Sequence, residues 1–133
     1  MAEVKRKISL KDVPVDEIHG ADQGFVNLRL QWIVTDKVGA KQGCLGYVEF
    51  LTDSSHELHT HPNTEEAFYI IDGHGLAQCG DEVFEINTGD TVFVPKGEKH
   101  YFRNLDKTKP MKAIWLYFSA TNLENAGHVR LGG

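Results

Sequence analysis

Residues 59–73 read HTHPNTEEAFYIIDG, and the two histidines at the head of this stretch, His59 and His61, stand two apart. In an extended strand, residues i and i+2 point to the same face, so both imidazoles can reach one ion. Pro62, Asn63 and Thr64 are turn formers. The run Glu66 to Ile71 that follows has the aromatic and β-branched content of a strand. The chain is therefore expected to fold back on itself, with Glu66 at the start of the returning strand brought beside the histidines. One hairpin would then assemble two imidazoles and a carboxylate, a donor set suited to a transition metal.

Outward from this hairpin, short strand-like runs repeat: Phe25 to Val34, Gly43 to Leu51, Leu58 to His61, Glu66 to Ile71, Leu76 to Cys79, Glu82 to Ile86, Thr91 to Pro95, Lys99 to Asn104 and Lys112 to Ser119. Their separators, such as Asp53 to Ser55, Asp72 to Gly75, Asn87 to Asp90 and Asp106 to Pro110, are rich in Gly, Pro, Asn and Asp. No helical periodicity of ten or more residues interrupts them. The pattern is that of an all-β sandwich or barrel. At 133 residues and 41% apolar composition the chain is expected to form one domain, residues 1–133. Roughly a third of the unfolded chain's surface stays exposed at this size, so a homodimer would add useful burial. The stretch from Ala120 to Gly133 has little apolar content and is expected to be a loose tail, with a short helix able to start at Leu123.

The formal charge of −5 gives no reason to expect nucleic acid or an acidic membrane as a partner. Between Gln42 and Pro95 there is no Lys or Arg, whereas Lys96, Lys99, Arg103, Lys107, Lys109 and Lys112 arrive together. Cross-strand charge pairing on a solvated face accounts for such blocks. Lys5-Arg6-Lys7 is followed by no long apolar run, so neither a signal peptide nor a membrane span is expected, and a cytoplasmic location follows. Cys44 and Cys79 have no Cys or His at metal-finger spacing and read as free, buried thiols.

A second stretch, residues 89–104, reads GDTVFVPKGEKHYFRN. Together with the first it resembles the cupin superfamily, whose two motifs are H-x-H-x(3,4)-E-x(6)-G and G-x(5)-P-x-G-x(2)-H-x(3)-N. His59, His61, Glu66 and Gly73 meet the first motif; Gly89, Pro95, Gly97, His100 and Asn104 meet the second. The resemblance covers about residues 44–119, leaving an N-terminal arm and extension strand over 1–42 and the tail over 120–133. It implies a single cupin barrel, a double-stranded β-helix of jelly-roll type, commonly found as a dimer. It also implies that His100 joins His59, His61 and Glu66 around one divalent transition metal. Glu66 is preferred to Glu65 because it stands six residues before Gly73 and shares its face with Phe68 and Ile70. One departure is Asp53, where the family usually has a glycine opening the first motif, which puts the local turn in question.

Three imidazoles and a carboxylate suit Fe, Mn, Ni, Co, Cu or Zn and are poor for Mg or Ca. Strand parity turns His56 away from His59 and His61, so it reads as surface or strand edge. His74 lies in a turn, and His19 and His128 lie near the termini; all three are expected to be solvated. Phe50, Phe68, Phe93 and Phe102 are candidates to line a small-molecule pocket. Arg29 alternates with Leu28 and Leu30 and faces either solvent, a dimer seam or, as a carboxylate anchor, that pocket. Lys99 and Arg103 share the face opposite His100 and are poor substrate anchors.

Relatives in the resembled superfamily include dioxygenases, decarboxylases, sugar isomerases and lyases. The residues favour a metal-dependent enzyme on a small oxygen-bearing metabolite, dioxygenase-like or isomerase-like, because no dedicated base stands out beside the motif. Tyr47, Tyr69, Tyr101 and Tyr117 are the other proton-handling candidates, and Phe68 stands where some cupin lyases place a basic tyrosine. The alternative is a non-catalytic cupin that binds a small molecule or sugar.

Overall fold

Alternation of buried and exposed residues runs through nearly every extended segment of the computed structural model, which describes residues 4–131. The strands are β1 (Phe25–Val34), β2 (Cys44–Thr60), β3 (Glu66–Asp72), β4 (His74–Cys79), β5 (Glu82–Asn87), β6 (Thr91–Val94), β7 (His100–Asn104), β8 (Met111–Tyr117) and β9 (Val129–Arg130). One four-residue helix, α1 (Leu123–Ala126), precedes β9. The strand order is β5-β4-β7-β2-β8-β3-β6, with β1 and β9 also paired to β2, and every pairing is antiparallel. The result is a nearly closed jelly-roll barrel.

The two runs expected as separate strands, Gly43 to Leu51 and Leu58 to His61, are halves of β2. Its first half pairs with β8 and its second with β7, so this one strand carries the chain from one side of the barrel to the other. The separator at Asp53 does not end the strand but bends it. Asp53 has φ +58°, the left-handed conformation that Asp and Asn tolerate better than other residues with a side chain. This resolves the departure at the family's usual glycine, since Asp53 supplies the backbone geometry itself.

Inward residues of β3 (Phe68, Ile70), β7 (Phe102) and β8 (Met111, Ala113, Trp115) meet Val48 and Phe50 of β2 in the core. Phe68 stacks on Phe102 with ring centroids 4.0 Å apart, and Phe50 meets Phe68 edge-on at 5.8 Å. Gly46 permits the close approach of β8: a Cβ there would lie 2.2 Å from the Trp115 ring. Asn104 ties the loop after β7 to β2, its Nδ2 donating to the Phe50 carbonyl at 3.0 Å and to the Lys109 carbonyl at 2.8 Å. Of the basic block Lys96 to Lys112, Lys99 alone forms a side-chain ion pair with a carboxylate among the described residues, 2.8 Å from Asp81 in the β4–β5 turn, so the expected cross-strand pairing gives way to a solvated face.

The described parts of the N-terminal arm and of the C-terminal segment close over one mouth of the barrel. In the N-terminal arm, Asp16 Oδ2 accepts from Trp32 Nε1 at 2.8 Å and from His19 Nδ1 at 2.6 Å. Burial raises the Asp16 pKa, but these donors and the Ile18 and His19 amides outweigh it and hold the carboxyl low. The segment expected to be a loose tail is packed over residues 120–131; residues 132–133 lie outside the described residues, as do residues 1–3 of the arm. Ala120, Leu123 and Ala126 are buried, and β9 returns to pair with the end of β2. Sparse apolar content was a poor guide because three well-placed small or medium side chains and a strand pairing suffice to anchor so short a segment.

Trp115 cannot shift far within this core, so Gly46→Ala is expected to cost about 1–3 kcal/mol by overpacking. Urea unfolding of the two proteins measures it; an unchanged midpoint would show that the ring gives way freely.

Candidate metal centre

The hairpin and β7 meet at one end of the barrel. His59 lies at the end of β2 and His61 just beyond it, Glu66 opens β3 and His100 opens β7, and all four are buried. His59 faces His100 directly in the β2–β7 register. The Nε2 atoms of His59 and His61 are 3.2 Å apart, and Glu66 Oε1 lies 3.0 Å from His100 Nε2 and 3.9 Å from His61 Nε2. One ring nitrogen from each of His59, His61 and His100 falls within 4.8 Å of the other two.

The other ring nitrogen decides what these atoms can do. His59 Nδ1 contacts the Glu57 carbonyl at 2.5 Å, His61 Nδ1 the Gly127 carbonyl at 2.6 Å and His100 Nδ1 the Glu98 carbonyl at 3.0 Å. A carbonyl only accepts, so each Nδ1 carries a proton; Nε2 of His59 and of His61 then presents a lone pair inward, and Nε2 of His100 does so once the proton that Glu66 favours there is released. Orientation of ligand imidazoles by backbone carbonyls is the usual supporting arrangement of a metal site. Two Nε2 lone pairs facing each other at 3.2 Å repel unless a cation lies against both, and that spacing suits nitrogens about 2.0–2.1 Å from a shared ion. Glu66 Oε1 and His100 Nε2 also lack a properly directed hydrogen bond despite their proximity. Such buried orphan atoms each cost about 1–3 kcal/mol, and the donor set fits a divalent transition ion.

Three expectations about histidines are overturned. His56 was read as turned away from the site, yet its ring stacks on His59 with centroids 3.8 Å apart and lines the interior. The reason is a bulge. Between His56 and His59 the register against β7 shifts, three residues on β2 matching two on β7, from Phe102 to His100. The extra residue reverses the parity argument. His128 was expected in solvent near a terminus, but β9 carries it back to within 5.0 Å of the His59 ring, centroid to centroid. His19 likewise packs against Phe25 and Trp32, whereas His74 is exposed. Only knowledge of the bulge and of the β9 pairing could have found the first two.

Below the ligands lies an internal cavity of about 20 Å³, walled by Phe25, Leu30, Trp32, Phe50, Phe68, Phe102, Trp115 and Tyr117, with His56 and Glu66 as polar groups. Three of the proposed pocket residues, Phe50, Phe68 and Phe102, line it. Phe93 does not: Val92 and Val94 face inward, so Phe93 is 53% exposed on the outer face. Arg29 is also exposed, opposite Glu49 in the β1–β2 register, and cannot anchor a ligand in the cavity. Of the tyrosines, Tyr117 stands beside the site, its ring 5.1 Å from His61, and burial with the nearby Glu66 charge pushes its pKa well up. Tyr47 instead donates to Glu49 at 3.0 Å, and Tyr69 is exposed.

Burial and mutual crowding also set the titration of the cluster. Burial, then neighbouring imidazoles, lower the pKa of His56, His59 and His128, the last to about 4. Burial likewise lowers His61, partly countered by Glu66. For His100, burial acts downward but the Glu66 carboxylate outweighs it, and the pKa rises.

With geometry established, the relationships are clear. The cupin domain family matches residues 46–117, more than half of the chain, and the protein belongs to that family. The tetracenomycin polyketide synthase protein TcmJ of Streptomyces glaucescens is 25% identical over 97 residues, 73% of this chain and 64% of that protein. Against two curated relatives the chain spans only 45% and 64% of their lengths. Among solved structures, the polyketide cyclase RemF from Streptomyces resistomycificus has a TM-score of 0.79 at 17% identity, covering 98% of this chain and 87% of that one. A predicted oxalate decarboxylase from Thermotoga maritima has a TM-score of 0.76 at 17% identity, covering 86% and 99%. At these identities the structural matches speak to the fold. No helix among the described residues is long and apolar enough to cross a membrane.

The pH dependence of the metal-free protein follows from the sign of each shift. Histidines with lowered pKa stabilise the fold above the ordinary value of 6.5 and lose that contribution as pH falls through their folded pKa, about 4 for His128. His100 acts oppositely, its contribution being full below 6.5 and lost as pH rises through its raised value. Four groups outweigh one. The urea midpoint of the metal-free protein should therefore fall between pH 7 and pH 5, and His56→Phe should flatten the decline; a midpoint that rises on acidification would contradict the neutral-imidazole cluster.

Proposed function

We propose that this protein is a metal-dependent enzyme acting on a small oxygen-bearing metabolite, with His59, His61, His100 and Glu66 holding one divalent transition ion. The observation that carries this reading is the set of three imidazoles, oriented from behind by three carbonyls and each offering a ring nitrogen within 4.8 Å of the other two, with Glu66 Oε1 beside two of them at 3.0 Å and 3.9 Å. When bound, such an ion acts as a Lewis acid toward a coordinated oxygen atom of the substrate. The chain's own residues do the rest. The cavity behind offers only about 20 Å³, room for little more than one water molecule, so its aromatic walls leave the substrate to reach the ion with a small oxygen-bearing end. Tyr117, whose proton is firmly held, serves as a hydrogen-bond donor at the wall and not as a base. Oxygenation or isomerisation of a chelated substrate is the chemistry we favour. The structural likeness to a predicted oxalate decarboxylase supports a small oxygen-rich ligand.

Purification without added metal, followed by elemental analysis, tests the site. The His59→Ala/His100→Ala double variant should fold but lose stoichiometric metal; a folded variant that keeps it would sink the assignment. Oxygen uptake on a panel of diketones, catechols and keto acids then reads the reaction. Substrate-dependent uptake supports oxygenation, whereas a tightly bound ligand with no turnover under any metal supports a non-catalytic binding cupin.

We further propose a cytoplasmic homodimer. Cys44 and Cys79 are free thiols, in keeping with a reducing compartment. The arm covers part of the edge of β1, the Asp16 amide donating to the Leu30 carbonyl at 2.7 Å, so that edge is a poor place to extend a partner's sheet. The outer face of β6, β3 and β8 is the better seam, since exposed Phe93, Tyr69 and Leu116 lie on those paired strands with Ala67 between them. Light scattering at micromolar concentration should give twice the chain mass, and Phe93→Glu should return the monomer; a monomeric wild type would overturn this assembly.

A further inference from the structure

Six of the seven histidines gather at one end of the barrel, and the inner site uses only three. His56 lies between Phe25 and His59, its ring 4.3 Å and 3.8 Å from theirs. His128 lies 5.0 Å from His59 and 5.6 Å from His56, again between centroids. One ring nitrogen from each of His56, His59 and His128 falls within 4.8 Å of the other two, the same closeness found among His59, His61 and His100. The Nε2 atoms of His56 and His128 are buried and have no hydrogen-bond partner among the described residues.

Packing alone does not explain this arrangement. A phenylalanine at position 56 would stack as well and bring no nitrogen in need of a partner. The carboxylates nearby are engaged elsewhere: Asp16 holds His19 and Trp32, and Glu57 Oε2 accepts from Arg130 at 2.7 Å. The unpaired donors are thus all imidazole nitrogens, which suit Co, Ni, Cu or Zn and not Mg or Ca.

We propose that His56, His59 and His128 form a second, outer seat for a divalent transition ion, sharing His59 with the inner seat. His59 Nδ1 is committed to the Glu57 carbonyl, so Nε2 is its one free lone pair and the two seats compete for it. His128, on the half-buried C-terminal segment, puts the outer seat on the solvent side of the fully buried His61 and His100. An ion entering the protein meets the outer seat first and passes inward by exchange about His59. This goes beyond the inner-site reading and rests on different nitrogens except for His59.

The test is titration of the chelator-stripped full chain with Co²⁺, followed by visible absorption and calorimetry, with folding checked by circular dichroism. The inner-deleted variant His61→Gln/His100→Gln should still bind one Co²⁺, and adding His128→Gln should weaken that binding by about 10- to 100-fold. The outer-deleted variant His56→Phe/His128→Gln should still bind one Co²⁺ at the inner seat but load it more slowly. An inner-deleted protein that binds Co²⁺ no better than its His128→Gln derivative overturns the outer seat, whereas an outer-deleted protein that binds none overturns the inner reading alone. If the inner-deleted chain does not fold, anomalous scattering from wild-type crystals in excess Co²⁺ decides. Density between His56 and His128 supports the proposal, and density only among His59, His61 and His100 refutes it.

Discussion

Continuous hydrogen bonding of β2 to four other strands, β1, β7, β8 and β9, is the constraint on which the remainder of the barrel depends. A strand of 17 residues cannot serve both sides of a closed barrel without changing direction, and it does so through Asp53 and the bulge before His59. The bend lets the first half pack Val48 and Phe50 into the core while the second half carries histidines to the mouth. Displacing either feature by one residue would exchange the inner and outer faces of everything after it. Core packing and the histidine cluster are therefore set by the same strand.

Gathering imidazoles in a buried space runs against stability. Among the described residues, six buried side-chain polar atoms lack a hydrogen-bond partner, and four of these belong to Glu66, His100, His56 and His128. The apolar interior beneath, with its stacked Phe68 and Phe102, offsets the strain locally by fixing β3 and β7 at the separation that holds the donors apart. Preorganisation follows. The side chains need little rearrangement to meet an ion because backbone carbonyls, not neighbouring side chains, orient the three inner rings.

The end of the chain is coupled to that orientation. The Gly127 carbonyl that holds His61 lies between α1 and β9, and α1 is fixed by Asn122, which caps it, and by the Asn63 amide donating to the Ala126 carbonyl at 3.0 Å. The arm that closes the same mouth is held through Asp16 to Trp32 of β1. Segments outside the matched family region, residues 46–117, thus complete the environment of residues inside it.

By itself the amino-acid order determined an all-β chain and the hairpin that carries His59, His61 and Glu66, because strand alternation and turn residues act over a few positions and leave a direct trace in spacing; the barrel and the place of His100 came from the resemblance to the cupin motifs. Glu66, Phe68 and Ile70 on one face could be read without any tertiary information. Tertiary structure alone decided the rest of the site. His56 turned inward through a bulge that no residue type announces, and His128 was recruited by a pairing, His59 with Arg130, between positions far apart in the chain. Phe93 and Arg29 went outward for the complementary reason: either face of a short strand can hold an aromatic or a long cation, and only the partner strands determine which face is the inside. Local pattern identifies donors a few residues apart, whereas the company they keep depends on register, which is settled by the whole barrel at once.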